Sequence, residues 1–208
     1  MLTPSPASRQ IVCVLLVLAA WTSLSIARQP NIVLIVADDL GWSDIACFGS
    51  EIHRTPRLDA LAERGVRFTN AYANAPNCAP SRACLLTGLY PPRHGVYTVG
   101  SSARGKAANR RLIPTPNRTQ LGEEFVTLAA VLRREGYTAA TIGKWHLSDD
   151  PTRHGFDVNI GGFRAGHPES YFSPYNNPAL PDGDEGEYLT DWLTDEAVGF
   201  IEQERDGP

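Results

Sequence analysis

Residues 31–37, Asn-Ile-Val-Leu-Ile-Val-Ala, form an unbroken apolar run rich in β-branched side chains. A run of that length without polar alternation predicts a strand buried on both faces of a mainly parallel sheet. It ends at Asp38-Asp39-Leu40-Gly41. Thr55-Pro56 then opens a predicted helix with Leu58, Leu61 and Ala62 on one face and Gly65 as its stop. Val66 to Tyr72 reads as a second strand, leading toward Cys78. A helix capped by Thr127, with Leu128, Val131 and Leu132 as apolar positions, is ended by Gly136, and Tyr137 to Ile142 reads as a third strand. The last predicted helix covers Thr190 to about Glu204, using Trp192, Leu193, Ala197, Phe200 and Ile201. Polar, Gly- and Pro-rich stretches at roughly 99–120 and 148–187 read as loops. Strands alternating with helices predict an α/β fold, a mostly parallel or mixed sheet flanked by helices.

The length, 208 residues, suits one domain or part of a larger one. Residues 1–27 have the layout of a secretory signal peptide: Arg9, an apolar stretch from Ile11 to Trp21, and Ser25-Ile26-Ala27 as a small-residue cleavage site. That stretch is short of the roughly 20 residues of a membrane span. The expectation is export to a periplasm or the exterior, with no stable membrane span; an uncleaved anchor is the alternative. Residues 28–208 would form the mature part. Removing Arg9 takes the formal charge from −4 to −5, as 18 basic residues then face 23 acidic ones. No basic stripe suggests a nucleic-acid partner, and Arg110-Arg111 and Arg133-Arg134 read as solvated pairs. Once Cys13 leaves with the leader, Cys47, Cys78 and Cys84 remain, an odd count that flags a special thiol. No Cys or His spacing argues for zinc.

Cys78-Ala-Pro-Ser-Arg-Ala-Cys-Leu-Leu-Thr-Gly88 carries the strongest chemical signal. Pro80 suits the first turn of a helix and Gly88 the position past its end. Cys78 then stands at a helix N-terminus, where free N–H groups and the dipole favour negative charge. Arg82, four residues on, shares its face. Taken alone, the segment also permits a structural cysteine or a disulfide between Cys78 and Cys84. Asp38-Asp39 supplies hard oxygen ligands for a divalent cation, although such a stretch is more often only a turn. In an extended Gly143-Lys144-Trp145-His146-Leu147, residues 144 and 146 would point the same way. Lys144 could then hold an anion while His146 handles a proton near neutral pH; a surface lysine and a core histidine are the plainer reading. Each cluster follows a predicted strand, and ligands gather beyond the carboxyl ends of strands in such sheets.

The run Cys-x-Pro-Ser-Arg followed by an apolar stretch and Thr-Gly resembles the signature of the type I sulfatases, an arylsulfatase-like branch of the alkaline phosphatase superfamily. The similarity extends to Gly143-Lys-Trp-His-Leu147, with Ser148 where glycine is usual. It also takes in Tyr90-Pro-Pro-Arg-His-Gly95 and His154-Gly-Phe-Asp157, whose histidines read as architectural and satisfied by backbone. The resemblance implies an alkaline-phosphatase-like fold and hydrolysis of sulfate esters on a sulfated small molecule or glycan. It implies that Cys78 is oxidised by a formylglycine-generating maturation enzyme, and that Asp38, Asp39 and residue 78 hold Ca2+ or Mg2+. One hydroxyl of the hydrated aldehyde attacks sulfur in line and displaces the alcohol. The other then loses a proton to His146 and sulfate is eliminated, with Arg82 and Lys144 stabilising the charge.

The resemblance has one large gap. The family's later metal-ligand block, and the His and Lys around the leaving group, have no counterpart before Pro208. Asp182, Asp184 and Asp191 do not match it. The chain therefore reads as the N-terminal part of a sulfatase catalytic domain, with weak cation binding and exposed sheet edges expected of it in isolation. Two further readings stay open: a phosphonate or phosphate ester hydrolase of the same superfamily, and an inactive exported fragment that binds sulfated glycans. Asn117-Arg118-Thr119 is a formal glycosylation sequon. Whether Cys47 and Cys84 pair is left open.

Overall fold

The computed structural model describes residues 29–205 and 207, so the signal-peptide reading lies outside the described residues. The chain divides into two compact units, residues 1–31 and 32–208. Of the first, only residues 29–31 are described, as exposed irregular chain. The second is an α/β arrangement of helices around a small parallel sheet.

Its helices are α1 (Pro56–Arg64), α2 (Cys78–Thr87), α3 (Pro91–His94), α4 (Leu128–Arg134) and α5 (Leu189–Glu204). Strands β1 (Ala140–Ile142) and β2 (Val158–Ile160) pair in parallel, with Thr141 opposite Asn159. The pair continues as Gly143 N–H donates to Ile160 O at 2.8 Å. Thus β2 lies inside the stretch expected to be loop. Three residues of Val-Asn-Ile between turn formers are too short a signal to separate from irregular chain.

Two predicted strands are absent among the described residues. Residues 32–37 and 66–72 make no ladder, and Ile35 and Val66 are 82% and 83% exposed. A strand read from apolarity alone needs neighbours on both edges to satisfy its backbone and cover its faces. The described sheet has two strands and reaches neither segment. The exposed sheet edge expected of these segments is therefore not formed; their apolar side chains stand in solvent as irregular chain. Leu58 and Leu61 of α1 are likewise exposed, and Gly65 ends that helix with extended backbone.

The core lies beneath α2. Ala79, Ala83, Val96, Leu121, Trp145 and Leu147 form one buried cluster, with Leu86, Val99, Phe125 and Phe156 packed against it. Leu121 N–H donates to Leu147 O at 2.7 Å, tying the segment before α4 to the stretch after β1. Thr127 caps α4 by accepting from Ala130 N–H, and its hydroxyl donates to His154 O. Gly155 is required here: its φ is +95°, and a Cβ would stand 2.5 Å from Ala130 N. No helix of the described residues is long and apolar enough to cross a membrane.

Candidate active site

Helix α2 begins at Cys78, with Asn77 as its N-cap, and ends in the left-handed Gly88, whose N–H donates to Cys84 O at 2.8 Å. Four of its residues, Ala79, Pro80, Ala83 and Cys84, are buried. The small side chains let α2 sit close on the core, which fixes Cys78 at its N-terminus and Arg82 one turn on. Cys47, Cys78 and Cys84 are all free thiols, so neither pairing considered from the sequence occurs.

Three distant segments meet at this helix end. Ligand atoms of Asp38, Asp39 and Cys78 lie within 4.8 Å of one another. Arg82 Nη2 stands 3.4 Å from Asp38 Oδ1, while its Nη1 donates to Lys144 O at 2.6 Å. Lys144 Nζ donates to the second oxygen of Asp38. Burial pushes the Asp38 carboxyl upward, but the Lys144 hydrogen bond and the charges of Lys144 and Arg82 together outweigh it and leave the group below its ordinary value.

His146 completes the group by another route than expected. Its φ is +65°, so the extended alternation that would align residues 144 and 146 breaks at this residue. The ring lies against Gly166, where an added Cβ would come within 2.6 Å of Cε1. Burial holds its pKa down, and the charges of Lys144 and Arg82 lower it further, so the imidazole is neutral at pH 7. Asp39, at φ +56°, is a second non-glycine residue in the left-handed region. Backbone strain of this kind clusters at functional sites.

Among the described residues, four buried side-chain polar atoms have no hydrogen-bond partner, and three surround this centre: Asn77 Oδ1, Arg82 Nε and His146 Nδ1. An unpaired buried polar atom costs about 1–3 kcal/mol, so these three are available to bond a ligand or ordered water at this centre. Asn77 was not singled out from the sequence, although an N-cap residue type directly before Cys78 was a usable signal. His167, which no motif supported, stands near enough to His146 to add to its depressed pKa.

The flanking motifs are structural. His94 is fully buried and accepts from Val96 N–H through Nδ1 at 3.1 Å, which leaves its proton on Nε2, 3.4 Å from Cys84 Sγ. His154 does not meet the expectation of backbone pairing: its ring makes a tilted contact with Trp145, centroids 5.4 Å apart, and Nδ1 has no partner. Ser148, the departure from the usual glycine, accepts the Trp145 indole N–H at 2.8 Å. Asn117 is committed to the fold. Its Oδ1 accepts from Tyr97 and Thr98 N–H, and its Nδ2 donates to Thr98 and Gly100 O.

The chain is 38% identical over 159 residues to N-acetylgalactosamine-6-sulfatase of Homo sapiens, covering 74% of this chain and 28% of that protein. A solved structure of Ps i-CgsB in complex with k-i-k-neocarrahexaose superposes with a TM-score of 0.68 at 32% identity, covering 85% of this chain and 42% of that one. Another, crystallised with its substrate D-glucosamine-2-N,6-O-disulfate, has a TM-score of 0.60 at 29% identity, covering 84% and 31%. The chain thus spans between about a quarter and half the length of these relatives. The Sulfatase family model matches residues 30–208. On this match, the chain belongs to the sulfatase family.

Proposed function

We propose that this chain supplies the nucleophile and the first metal carboxylates of an exported sulfuric ester hydrolase acting on a sulfated small molecule or glycan. The observation that carries the reading is the meeting of Asp38, Asp39 and Cys78 within 4.8 Å, with Arg82 and Lys144 both on Asp38. The sulfated and oligosaccharide ligands of the two solved relatives support the substrate class.

The donor set favours an oxidised residue 78. Two carboxylates suit Ca2+ or Mg2+, which take oxygen ligands, whereas a thiol is a soft ligand that such ions avoid. An aldehyde hydrate at position 78, made by a maturation enzyme, would turn the cluster into an all-oxygen set. A cation held by Asp38 and Asp39 would add positive charge at the sulfate and ease ionisation of the nucleophile.

The chain's own residues do the rest. The free N–H groups at the start of α2 and the Arg82 guanidinium face the anion, which the helix dipole also favours. Lys144 serves as a point charge, and its pairing with Asp38 keeps it beside the scissile group. His146 is held neutral, so a ring nitrogen is free to take the proton released at residue 78 and later return it. The test uses the full-length protein co-expressed with a maturase. The tryptic peptide Phe68–Arg82 is expected to be lighter by the change from thiol to aldehyde, and aryl sulfate is expected to be hydrolysed faster than aryl phosphate. An unmodified cysteine, or a preference for phosphate, would overturn the reading.

A further inference from the structure

Between Arg64 and Gly122 the chain has nine Lys and Arg residues and no Asp or Glu, against 19 and 23 overall. Cys78 lies within this acid-free stretch. Four of its cations, Arg104, Lys106, Arg110 and Arg111, are packed into eight residues of one loop. None of the four has a carboxylate partner among the described residues, whereas Arg82 and Arg118 do. Clustered like charges without counter-ions raise the local concentration of anions and disfavour the bare loop.

The loop is nevertheless held by its own hydrogen bonds, and it borders an open hollow. Arg110 staples it from inside, donating to the carbonyls of Ala103, Arg104 and Gly105 at 2.8–3.2 Å. Arg104 Nη2 donates to Val99 O at 2.9 Å. Asn117 fixes the opposite limb through its four bonds to residues 97–100. The result is a wide, open cavity of about 610 Å3, lined by Tyr97, Arg104, Arg110 and Arg111 and rimmed by the exposed Leu112 and Ile113. Thr98 also lines it, and Thr98 accepts a hydrogen bond from Asn77, the residue before Cys78, at 3.2 Å. The cavity therefore adjoins the N-cap of the nucleophile's helix. Its mixture of cations with an aromatic ring and aliphatic side chains suits a sugar bearing an anionic group.

We propose that this cavity is a second anion subsite, which takes a sulfate on a neighbouring sugar of an oligosaccharide whose scissile sulfate lies at residue 78. Arg104 and Arg111 contact that second sulfate and Arg110 holds the loop in shape. The pair Arg110-Arg111, read from the sequence as solvated surface, is thus divided between two roles. The inference rests on the reading of Cys78 as the hydrolytic centre and adds the preferred substrate class: oligosaccharides sulfated on more than one sugar.

The test measures Kd by calorimetry in the full-length protein for two disaccharides, one carrying a single sulfate and one carrying a sulfate on each sugar. The doubly sulfated ligand is expected to bind about tenfold more tightly, the gain of one charge-assisted contact set. In Arg104→Gln/Arg111→Gln that preference disappears while the affinity for the singly sulfated sugar stays within about twofold. Arg111→Gln alone, at an exposed side chain with no partner among the described residues, guards against loss of fold and removes part of the preference. Equal affinity for the two ligands in the unaltered protein, or a preference that survives in the double variant, overturns the subsite. Turnover of an aryl monosulfate, which has no second anion, is read in parallel. Its absence with the preference intact sinks the hydrolase reading alone.

Discussion

Helix α2 buries four of its ten residues, whereas α1, nine residues long, buries none. The contrast extends outward from the two helices. Around α2 the chain closes on Trp145, Leu147, Val96 and Leu121. Outside that packing, the runs 32–36 and 66–68, like α1, leave large apolar side chains in solvent. The candidate centre straddles the two regions. Residue 78 and Arg82 stand on packed ground, and Lys144 and His146 flank the buried Trp145. Asp38 and Asp39 stand at the end of the exposed run, and Asp38 is tied to the centre by ion pairs with Lys144 and Arg82. The residue-78 side of the site is therefore preorganised by packing, and the carboxylate side by charge.

Substitutions should separate the regions by size of effect. Trp145→Ala removes a side chain that is 2% exposed and touches Phe156 and His154. It is expected to cost about 3–5 kcal/mol in denaturant unfolding, while Trp42→Ala, at a residue 72% exposed, stays within about 1 kcal/mol. Similar losses at both tryptophans would break the contrast.

Asn117→Ala comes next, at about 1–2 kcal/mol, because it removes four hydrogen bonds to half-buried and exposed backbone groups of residues 97–100. The same four bonds argue that the sequon at Asn117 is not used: a glycan on Nδ2 would remove a donor proton from the contacts with Thr98 and Gly100. Intact-mass measurement after expression in a glycosylating host is expected to find Asn117 bare.

Acid sensitivity sharpens the same contrast. Burial lowers the pKa of His94 and His154 below the ordinary 6.5, both in the packed region. Below 6.5 the unfolded chain takes up protons that the folded chain refuses, so stability is fully present above that pH and is lost as pH falls through it. Thermal melting should fall from about pH 6.5 downward, and less steeply in His94→Asn, whose side-chain oxygen can still accept from Val96 N–H. The smallest effect is expected at Ile35→Ser, which stays within about 0.5 kcal/mol in the same unfolding measurement.

How much of this was legible in the sequence follows the same division. Helices α2, α4 and α5 carry their own caps and stops, Pro80 with Gly88, Thr127 with Gly136, and an apolar face through Trp192 and Leu193. These local signals need no partner. The Asp38-Asp39, Cys78–Arg82 and Lys144–His146 segments were legible as chemistry, and the structure brings them to one place. Residues 31–37 and 66–72 were misread because a buried strand is defined by neighbours, which an apolar run cannot specify. Strand β2 was missed for the converse reason, since pairing with Ala140–Ile142 makes a strand of three unremarkable residues. The left-handed turn at His146 also has no local signature, because it is imposed by the hydrogen bond from its N–H to Phe163 O.

The role of residue 78 can be read from one mass spectrum of Cys78→Ser in the full-length protein after incubation with an aryl sulfate. A serine hydroxyl can attack sulfur and release the phenol, but it has no second hydroxyl from which to expel sulfate. The account predicts that peptide Phe68–Arg82 gains one sulfate group and keeps it, and that phenol release stops after a single equivalent. An unmodified peptide, in a variant that still binds the aryl sulfate, would contradict it.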